Sequence, residues 1–261
     1  MLILLNSTKT MDFARPIPET PTTHPRFLDQ ARILINRLRP LEPDQLSQLM
    51  HMSLPLGAHT HAGFQSWGGP EATGRTALFA FRGTMFEALS PETLPAGLLF
   101  AEGTGKDARG VQDRLRILSG LYGVLRPLDR IEPYRLEMGL ALNVNGATSV
   151  VGFWDGRLSA SVLADAGDGP LLNLASQEYV KAIQPTRFRG RLITPVFNTE
   201  KNGKLRSVAV HAKRARGLMA RHALTTDART PEDLFGFAMD GYAYRADLST
   251  PRRPVFTRTA D

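Results

Sequence analysis

The chain has 261 residues, of which 42% are hydrophobic, and a net charge of +7. This length is sufficient to bury a sizeable core, and the absence of cysteine excludes disulfides and thiolate metal sites and fits a reducing cytoplasm. The first five residues are apolar without a preceding basic segment, and no apolar run reaches the length of a membrane span, so we expect neither a signal peptide nor a membrane segment.

Apolar patterning and turn residues predict strands and helices that interleave along the chain. In chain order, the first half is predicted to contain a strand at 2–5, helices at 25–38 and 43–52, a loop at 55–75, a strand at 76–81, a helix beginning at Ser90 and a helix at 106–119. The second half is predicted to contain a strand at 148–154, a helix at 157–166, strands at 171–174, 192–197 and 205–211, a helix at 212–224 and a short helix beginning at Thr230.

The turn sequence Asn202-Gly203 predicts an antiparallel hairpin between the strands at 192–197 and 205–211. Because of this hairpin, the alternation of strands and helices does not establish a doubly wound parallel sheet. We predict a mixed α/β (α+β) fold with a mixed sheet surrounded by helices, in a single compact domain over residues 1–261.

Positive charge is concentrated in one stretch of the chain. Residues 181–222 contain eleven lysines and arginines and one acid, Glu200, which gives the stretch a charge of +10, while the rest of the chain sums to −3. A localised basic stretch indicates an anionic partner more strongly than an evenly basic surface does.

The predicted helix at 212–224 carries part of this charge. Lys213 and Arg216, or Arg214 and Arg221, share a face at helical spacing. Gly217 costs about 1 kcal/mol inside a helix, so its presence indicates that another backbone or a ligand comes close. A solvated basic face is the alternative explanation of the cations.

Polar residues follow two of the predicted strands. Lys9 and Thr10 come after the first strand, and ligands bind at that end of a central strand in α/β folds. Ser176 and Glu178 come after the strand at 171–174, where capping of the next helix explains both residues as well as a functional role does.

The stretch from Arg126 to Gly139 is dense in polar residues, and two prolines hold it extended. Its arginines and Tyr134 could form a rim that faces an anion. Surface ion pairs, Arg126 with Asp129 or Arg135 with Glu137, are the alternative.

Motifs for metals and nucleotides are absent or incomplete. His59 and His61 have no carboxylate within eight residues on either side, so we predict surface histidines and no metal site. The segment 103–106, GTGK, matches only a fragment of a phosphate loop. We therefore expect no metal and no other cofactor.

Residues 118–129 read LSGLYGVLRPLD, and residues 133–139 read PYRLEMG. Together with matches at 173–179, 195–204, 212–219 and 236–242, they resemble the bacterial YaaA family of peroxide stress resistance proteins. The resemblance runs from residue 1 to about residue 245 in the order that the family has.

The resemblance implies a cytoplasmic protein that limits oxidative damage under hydrogen peroxide, with lower free iron as a consequence. It also implies a mixed α/β domain whose positively charged cleft binds double-stranded or branched DNA through a segment similar to a helix-hairpin-helix. The turn of that segment would be Gly120-Leu121-Tyr122-Gly123, although two residues separate its glycines instead of one. No catalytic residue set comes with the resemblance.

The chain departs from the family pattern at three places. The first loop is usually SPAKT, and residues 6–10 read NSTKT, which keeps Lys9 and Thr10 and loses the proline. Gly83-Thr84 stands where the family tends to have Gly-Asp, which puts an enzymatic role of that acid in doubt. His59 and His61 do not belong to the family pattern.

Two functions follow from these observations. The first is a peroxide-stress protein, favoured as a monomer, that binds DNA in a positively charged cleft and limits free iron indirectly. Its candidate nucleic-acid or anion-binding residues are Lys9, Thr10, Gly120, Tyr122, Gly123, Arg126, Arg135, Lys181, Lys201, Lys204, Lys213, Arg214, Arg216 and Arg221.

The alternative is an enzyme that acts on a small anionic or nucleotide-like substrate in the same cleft. Its candidate catalytic residues are Lys9, Tyr134, Glu137, Ser176 and Glu178.

Overall fold

The structure is a computed structural model that describes residues 1–100, 110–188 and 190–259. The α-helices of these ranges are α1 Leu28–Leu38, α2 Pro43–Leu49, α3 Leu54–Ser66, α4 Ala77–Ala80, α5 Thr84–Leu89, α6 Ala96–Leu99, α7 Val111–Arg114, α8 Val150–Phe153, α9 Arg157–Ala166, α10 Gln177–Val180 and α11 Ala209–Thr225. The helices predicted to begin at Ser90 and Thr230 are short 3-10 helices at Pro91–Thr93 and Glu232–Leu234. The strands are β1 Leu2–Asn6, β2 Arg75–Thr76, β3 Leu115–Ser119, β4 Gly123–Leu125, β5 Arg130–Ile131, β6 Leu171–Asn173, β7 Leu192–Ile193, β8 Val196–Lys201, β9 Lys204–Arg206, β10 Ala243–Tyr244 and β11 Val255–Thr259.

Within the described ranges, the main sheet has the strand order β4-β3-β1-β6-β7. Strand β1 pairs in parallel with β3 and with β6, and β6 pairs in parallel with β7, whereas β4 is antiparallel to β3. The second sheet has the order β10-β11-β8-β9, and β2 pairs with β5. The sheets mix parallel and antiparallel pairs, which confirms the mixed α/β class.

The continuous apolar runs explain why the sheet was partly predictable. Residues Leu2–Leu5 and Leu171–Asn173 are buried, as strands covered on both faces should be. The helix at 157–166 and the hairpin at Asn202-Gly203 are confirmed as well, because β8 and β9 pair antiparallel with Lys201 opposite Lys204.

Four predicted segments have the wrong structure, and the predicted strand at 205–211 is too long, because β9 ends at Arg206 and residues 209–211 belong to α11. Residues 55–75 contain α3, whose buried positions Gly57, Thr60 and Phe64 recur at helical spacing despite the loop-like composition. Residues 76–81 form α4 and residues 148–154 contain α8, because a short apolar run does not distinguish a strand from a buried helix. The predicted helix at 106–119 is mainly strand β3, and its first residues, 106–109, lie outside the described ranges.

The turn at Gly120–Gly123 joins two strands, so the predicted helix-hairpin-helix is wrong. Leu118 lies opposite Val124 and Ser119 lies opposite Gly123 in an antiparallel ladder. The error arose because Val111, Leu115 and Leu118 have helical spacing, while the burial of all five β3 residues removes the alternation that marks an exposed strand.

This turn faces the core. The Gly120 carbonyl accepts a 2.8 Å hydrogen bond from the Trp154 indole nitrogen. A Cβ on Gly123, whose φ is +70°, would lie 2.8 Å from the Leu158 Cδ2 atom and 2.9 Å from the Trp154 ring. The glycines are therefore required by backbone conformation and by packing.

Replacing Gly123 with valine is expected to lower the free energy of unfolding by about 3 kcal/mol, since strain at positive φ adds to overpacking. The midpoint of urea unfolding measures this loss. Gly203→Val is the matched control, because Gly203 has φ +71° with no atom within 4 Å of an added Cβ. Equal losses in the two variants would contradict the packing argument.

Candidate functional site

The carboxyl ends of the parallel strands form the edge at which the candidate residues lie. Strand β1 lies between β3 and β6. The chain therefore adds β3 on one flank of β1 and later adds β6 on the other flank. Open α/β sheets bind ligands at such a switch point. The segments that begin at Ser7, Gly120 and Leu174 follow these strand ends.

A cluster of hydroxyl groups covers this edge. The Ser7 hydroxyl donates to the Tyr179 hydroxyl over 3.3 Å, and the Ser119 and Tyr134 hydroxyls lie 2.7 Å apart. The Tyr122 backbone N–H donates to the Ser119 oxygen over 2.9 Å. Burial raises the pKa of Tyr134 and of Tyr179, so both phenols stay neutral at physiological pH.

Charged candidates lie beside this cluster. The Lys9 ammonium forms an ion pair with the Glu137 carboxylate. The Glu178 carboxylate accepts a 2.8 Å hydrogen bond from the Gly139 N–H, and the Ser176 N–H donates to the Asn6 side chain over 2.9 Å. Segment 134–139 is thereby tied to the loops after β1 and β6.

A cavity of about 880 Å³ opens next to Lys9 and is called the Lys9 cavity below. Residues from four segments line it: the loop after β1, one face of α3, residues 71–73, and residues 132–135. Lys9, Thr10, Tyr134 and Arg135 are all among its lining residues.

A second depression, of about 1080 Å³, lies beside the ends of β6 and β7 and is called the Arg216 groove. The cations that line it are Lys181, Arg216, Arg252 and Arg253, and no Asp or Glu is among its described lining residues. None of these four cations forms an ion pair with another described residue. Burial lowers the pKa of Arg216, as expected for a cation that loses water without gaining a carboxylate.

The comparison with known proteins decides the family. The family model for the peroxide stress protein YaaA matches residues 1–248. The chain is 42% identical to a UPF0246 protein of Verminephrobacter eiseniae over 264 residues, which are 99% of this chain and 98% of the relative. It is 41% identical to UPF0246 proteins of Shewanella oneidensis and Ralstonia nicotianae, each over 266 residues that span 100% of both chains. The chain belongs to the YaaA family of peroxide stress proteins.

Several candidate anion-binding residues of this YaaA-family protein have intramolecular partners. Arg221 donates to the carbonyl oxygens of Leu89 and Ser90 at 3.0 and 3.1 Å. Arg214 pairs with Asp240 at 3.3 Å, and Arg126 pairs with Asp129 at 3.2 Å.

Other candidates are buried or are not among the residues that line the groove. Tyr122 is buried, and its hydroxyl accepts hydrogen bonds from the Trp67 indole and the Glu132 N–H at 3.0 and 3.1 Å. Gly120 and Gly123 pack against the core as described above. Lys201 and Lys204 lie on the β8–β9 hairpin, and Lys213 is exposed on α11. Among the fourteen candidates, Lys181 and Arg216 line the Arg216 groove.

Sequence reasoning missed Arg252 and Arg253. The Arg252 carbonyl accepts a 2.9 Å hydrogen bond from Thr194, and the Pro254 carbonyl accepts one of 2.9 Å from Val196. These hydrogen bonds hold the two arginines beside the groove, although they lie outside the basic stretch 181–222. The sequence PRRP at 251–254 was the available signal.

Two further searches were restricted to the described part of this YaaA-family chain. No group of three or more His, Asp or Glu side chains there is placed to hold a metal ion. No helix there has the length and apolar character that crossing a bilayer requires.

Proposed function

We propose that this peroxide stress protein acts in the cytoplasm by binding DNA, duplex or branched, along the Arg216 groove, with lower free iron as an indirect consequence. The observation that carries the proposal is the lining of the groove, where four cations face the cavity without a carboxylate among the described lining residues. Phosphate groups satisfy such cations without any reading of base sequence.

The desolvation of Arg216 supports the same proposal. A partly buried guanidinium without an internal acid is unfavourable in the free protein, and an incoming phosphate would remove that cost through charge-assisted hydrogen bonds. Arginine also suits phosphate because its planar guanidinium donates two parallel hydrogen bonds.

The β8–β9 hairpin extends the positive surface beyond the groove. Val196 at the base of the hairpin lines the groove, as does Ser207 just after β9. Every residue of β9 is exposed, including Lys204 and Arg206. A polyanion longer than the groove would therefore meet further cations on the hairpin, whereas a small anion would not reach them.

The alternative function, an enzyme in the same cleft, is not supported by the lining of the Arg216 groove. The candidates proposed for acid–base chemistry, namely Lys9, Tyr134, Glu137, Ser176 and Glu178, are not among the described residues that line the Arg216 groove. We therefore put forward the nucleic-acid function alone for this groove.

The double variant Arg216→Gln/Arg252→Gln tests the proposal. Duplex affinity should fall, and the slope of log affinity against log salt should become shallower by about 2, because each lost phosphate contact removes nearly one unit. Fluorescence anisotropy with a labelled duplex, titrated between about 50 and 200 mM salt, measures both quantities.

The control is Arg32→Gln/Arg245→Gln, which removes the same charge from two arginines that pair with Asp29 and Asp247 and do not line the groove. If both double variants lose affinity equally, the effect is one of net charge and the groove is not the binding site. An unchanged salt slope in the groove variant would have the same meaning.

A further inference from the structure

We propose that the Lys9 cavity is a separate binding site for a small aromatic anion, a molecule with a flat apolar body and one phosphate or carboxylate group. This site is distinct from the Arg216 groove, and no residue lines both. The inference therefore does not depend on DNA binding.

The size and position of the cavity suit a small molecule. Its volume of about 880 Å³ falls in the range of ligand pockets, which is roughly 300–1,000 Å³. It lies directly after β1, at the switch point of the parallel strands, where ligands bind in open α/β sheets.

Part of the cavity lining is apolar. Met11, Phe13 and Leu56 line it together with Pro133. Leu56 and Gly63 lie on the same face of α3, seven residues apart. Such apolar side chains bind an aromatic body by burial, and the Phe13 ring adds a ring contact.

The lining also supplies positive charge for one anionic group. Lys9 and Arg135 both line the cavity, and Lys9 is already paired with Glu137. Arg135 forms no ion pair with a described residue. Its guanidinium is therefore the group that the anion of a ligand would meet.

Two acids, Glu132 and Glu71, also line the cavity. The Glu132 carboxylate accepts a 2.8 Å hydrogen bond from the Gly68 N–H, which fixes it on the wall of the cavity. Glu71 is exposed to solvent, where its charge is screened.

Gly63 provides a way to fill the cavity without disturbing the fold. A Cβ added to Gly63 would meet no atom within 4 Å, although the residue lies inside α3 and lines the cavity. Gly97 in α6 has the same open surroundings and does not line the cavity, so Gly97→Phe is the matched control for Gly63→Phe.

The probe is anilinonaphthalene sulfonate, which combines an aromatic body with one negative charge and fluoresces when bound. We expect stoichiometric binding to the intact protein, a loss of affinity of at least about tenfold in Gly63→Phe, and no change in Gly97→Phe. Equal affinity in the two variants would overturn the proposal.

Arg135→Gln tests the charge and leaves the cavity open. The variant should lower the affinity for anilinonaphthalene sulfonate by about tenfold and change the affinity for the neutral analogue phenylnaphthylamine by no more than about twofold. Only the charged probe loses a charge-assisted hydrogen bond. An equal loss of affinity for both probes would mean that Arg135 does not bind the anionic group, and would overturn the proposal.

Competition assigns the anionic group. Displacement of the probe by adenosine monophosphate indicates a phosphate ligand, and displacement by indole acetate indicates a carboxylate. Displacement by neither compound would overturn the proposal. The DNA affinity of Gly63→Phe, measured in parallel, should equal that of the intact protein, which separates failure of this site from failure of the groove.

Discussion

Replacing Gly217 with alanine is expected to lower the free energy of unfolding by about 3 kcal/mol or more, because the added methyl group overpacks a helix contact. Helix α11 lies against α5 at this point. An added Cβ would be 2.0 Å from the Met85 carbonyl oxygen and 2.8 Å from the Ala88 Cβ atom. Because the nearest atom belongs to the backbone, the two helices have to move apart to admit the methyl group.

The control is Gly63→Ala, which adds the same methyl group inside α3, where no atom lies within 4 Å. That variant should be neutral or more stable by up to about 1 kcal/mol, because alanine favours the helix over glycine. Urea unfolding followed by far-UV circular dichroism compares the two. A Gly217→Ala protein as stable as Gly63→Ala would contradict the close approach of α11 and α5.

Replacing Asp165 with asparagine is expected to cost about 3 kcal/mol or more, because breaking a buried ion pair leaves an uncompensated charge. Arg116, on the interior strand β3, has a side chain that is 6% exposed and places its Nε atom 2.7 Å from the Asp165 carboxylate, which is 12% exposed. The same carboxylate pairs with Arg26 at 2.9 Å. Asp29→Asn, which breaks an exposed pair with Arg32, is the control and should cost about 0–1 kcal/mol.

The same aspartate makes stability depend on pH. Burial favours the neutral form of Asp165, but hydrogen bonds and charge from Arg116 and Arg26 outweigh it and lower the pKa below its ordinary value of 3.8. Because this pKa is lowered in the folded protein, the ionised Asp165 stabilises the fold fully above pH 3.8. This stabilisation is lost as the pH falls through the pKa of Asp165 in the folded protein. The stability difference between the intact protein and Asp165→Asn should therefore shrink in acid. A difference that stays constant below pH 3.8 would contradict the ion pair.

Local sequence patterns predicted the elements whose cause is local. The run Leu2–Leu5, the turn Asn202-Gly203 and the helix α9 each carry their signal within a few residues, and all three are confirmed. The prediction of a helix at 106–119 was wrong because the burial of β3 depends on β1, which is more than a hundred residues away in the sequence. The charge of Arg116 inside β3 is also neutralised by a distant residue, Asp165 of α9. Gly217 was interpreted correctly as a point of close approach, although the sequence could not distinguish a backbone from a ligand.

The positions of the candidate residues were predictable to a similar extent. The position of Lys9 after a central strand followed from topology, and the structure brings Lys9, Tyr134 and Arg135 to one cavity. The partners of Arg214 and Arg221 were not predictable, because Asp240 and the Leu89 carbonyl come from distant segments. Arg252 and Arg253 were missed for the same reason, since the pairing of β11 with β8 brings them to the groove.

The hairpin at Gly120–Gly123 changes how genetic results on this stretch should be interpreted. Its glycines and Tyr122 are packed inside the protein, so a substitution there lowers the amount of folded chain in the cell before it alters any contact with a partner. Peroxide sensitivity caused by such an allele reports protein abundance. Immunoblotting of the steady-state level belongs beside every survival assay of that segment.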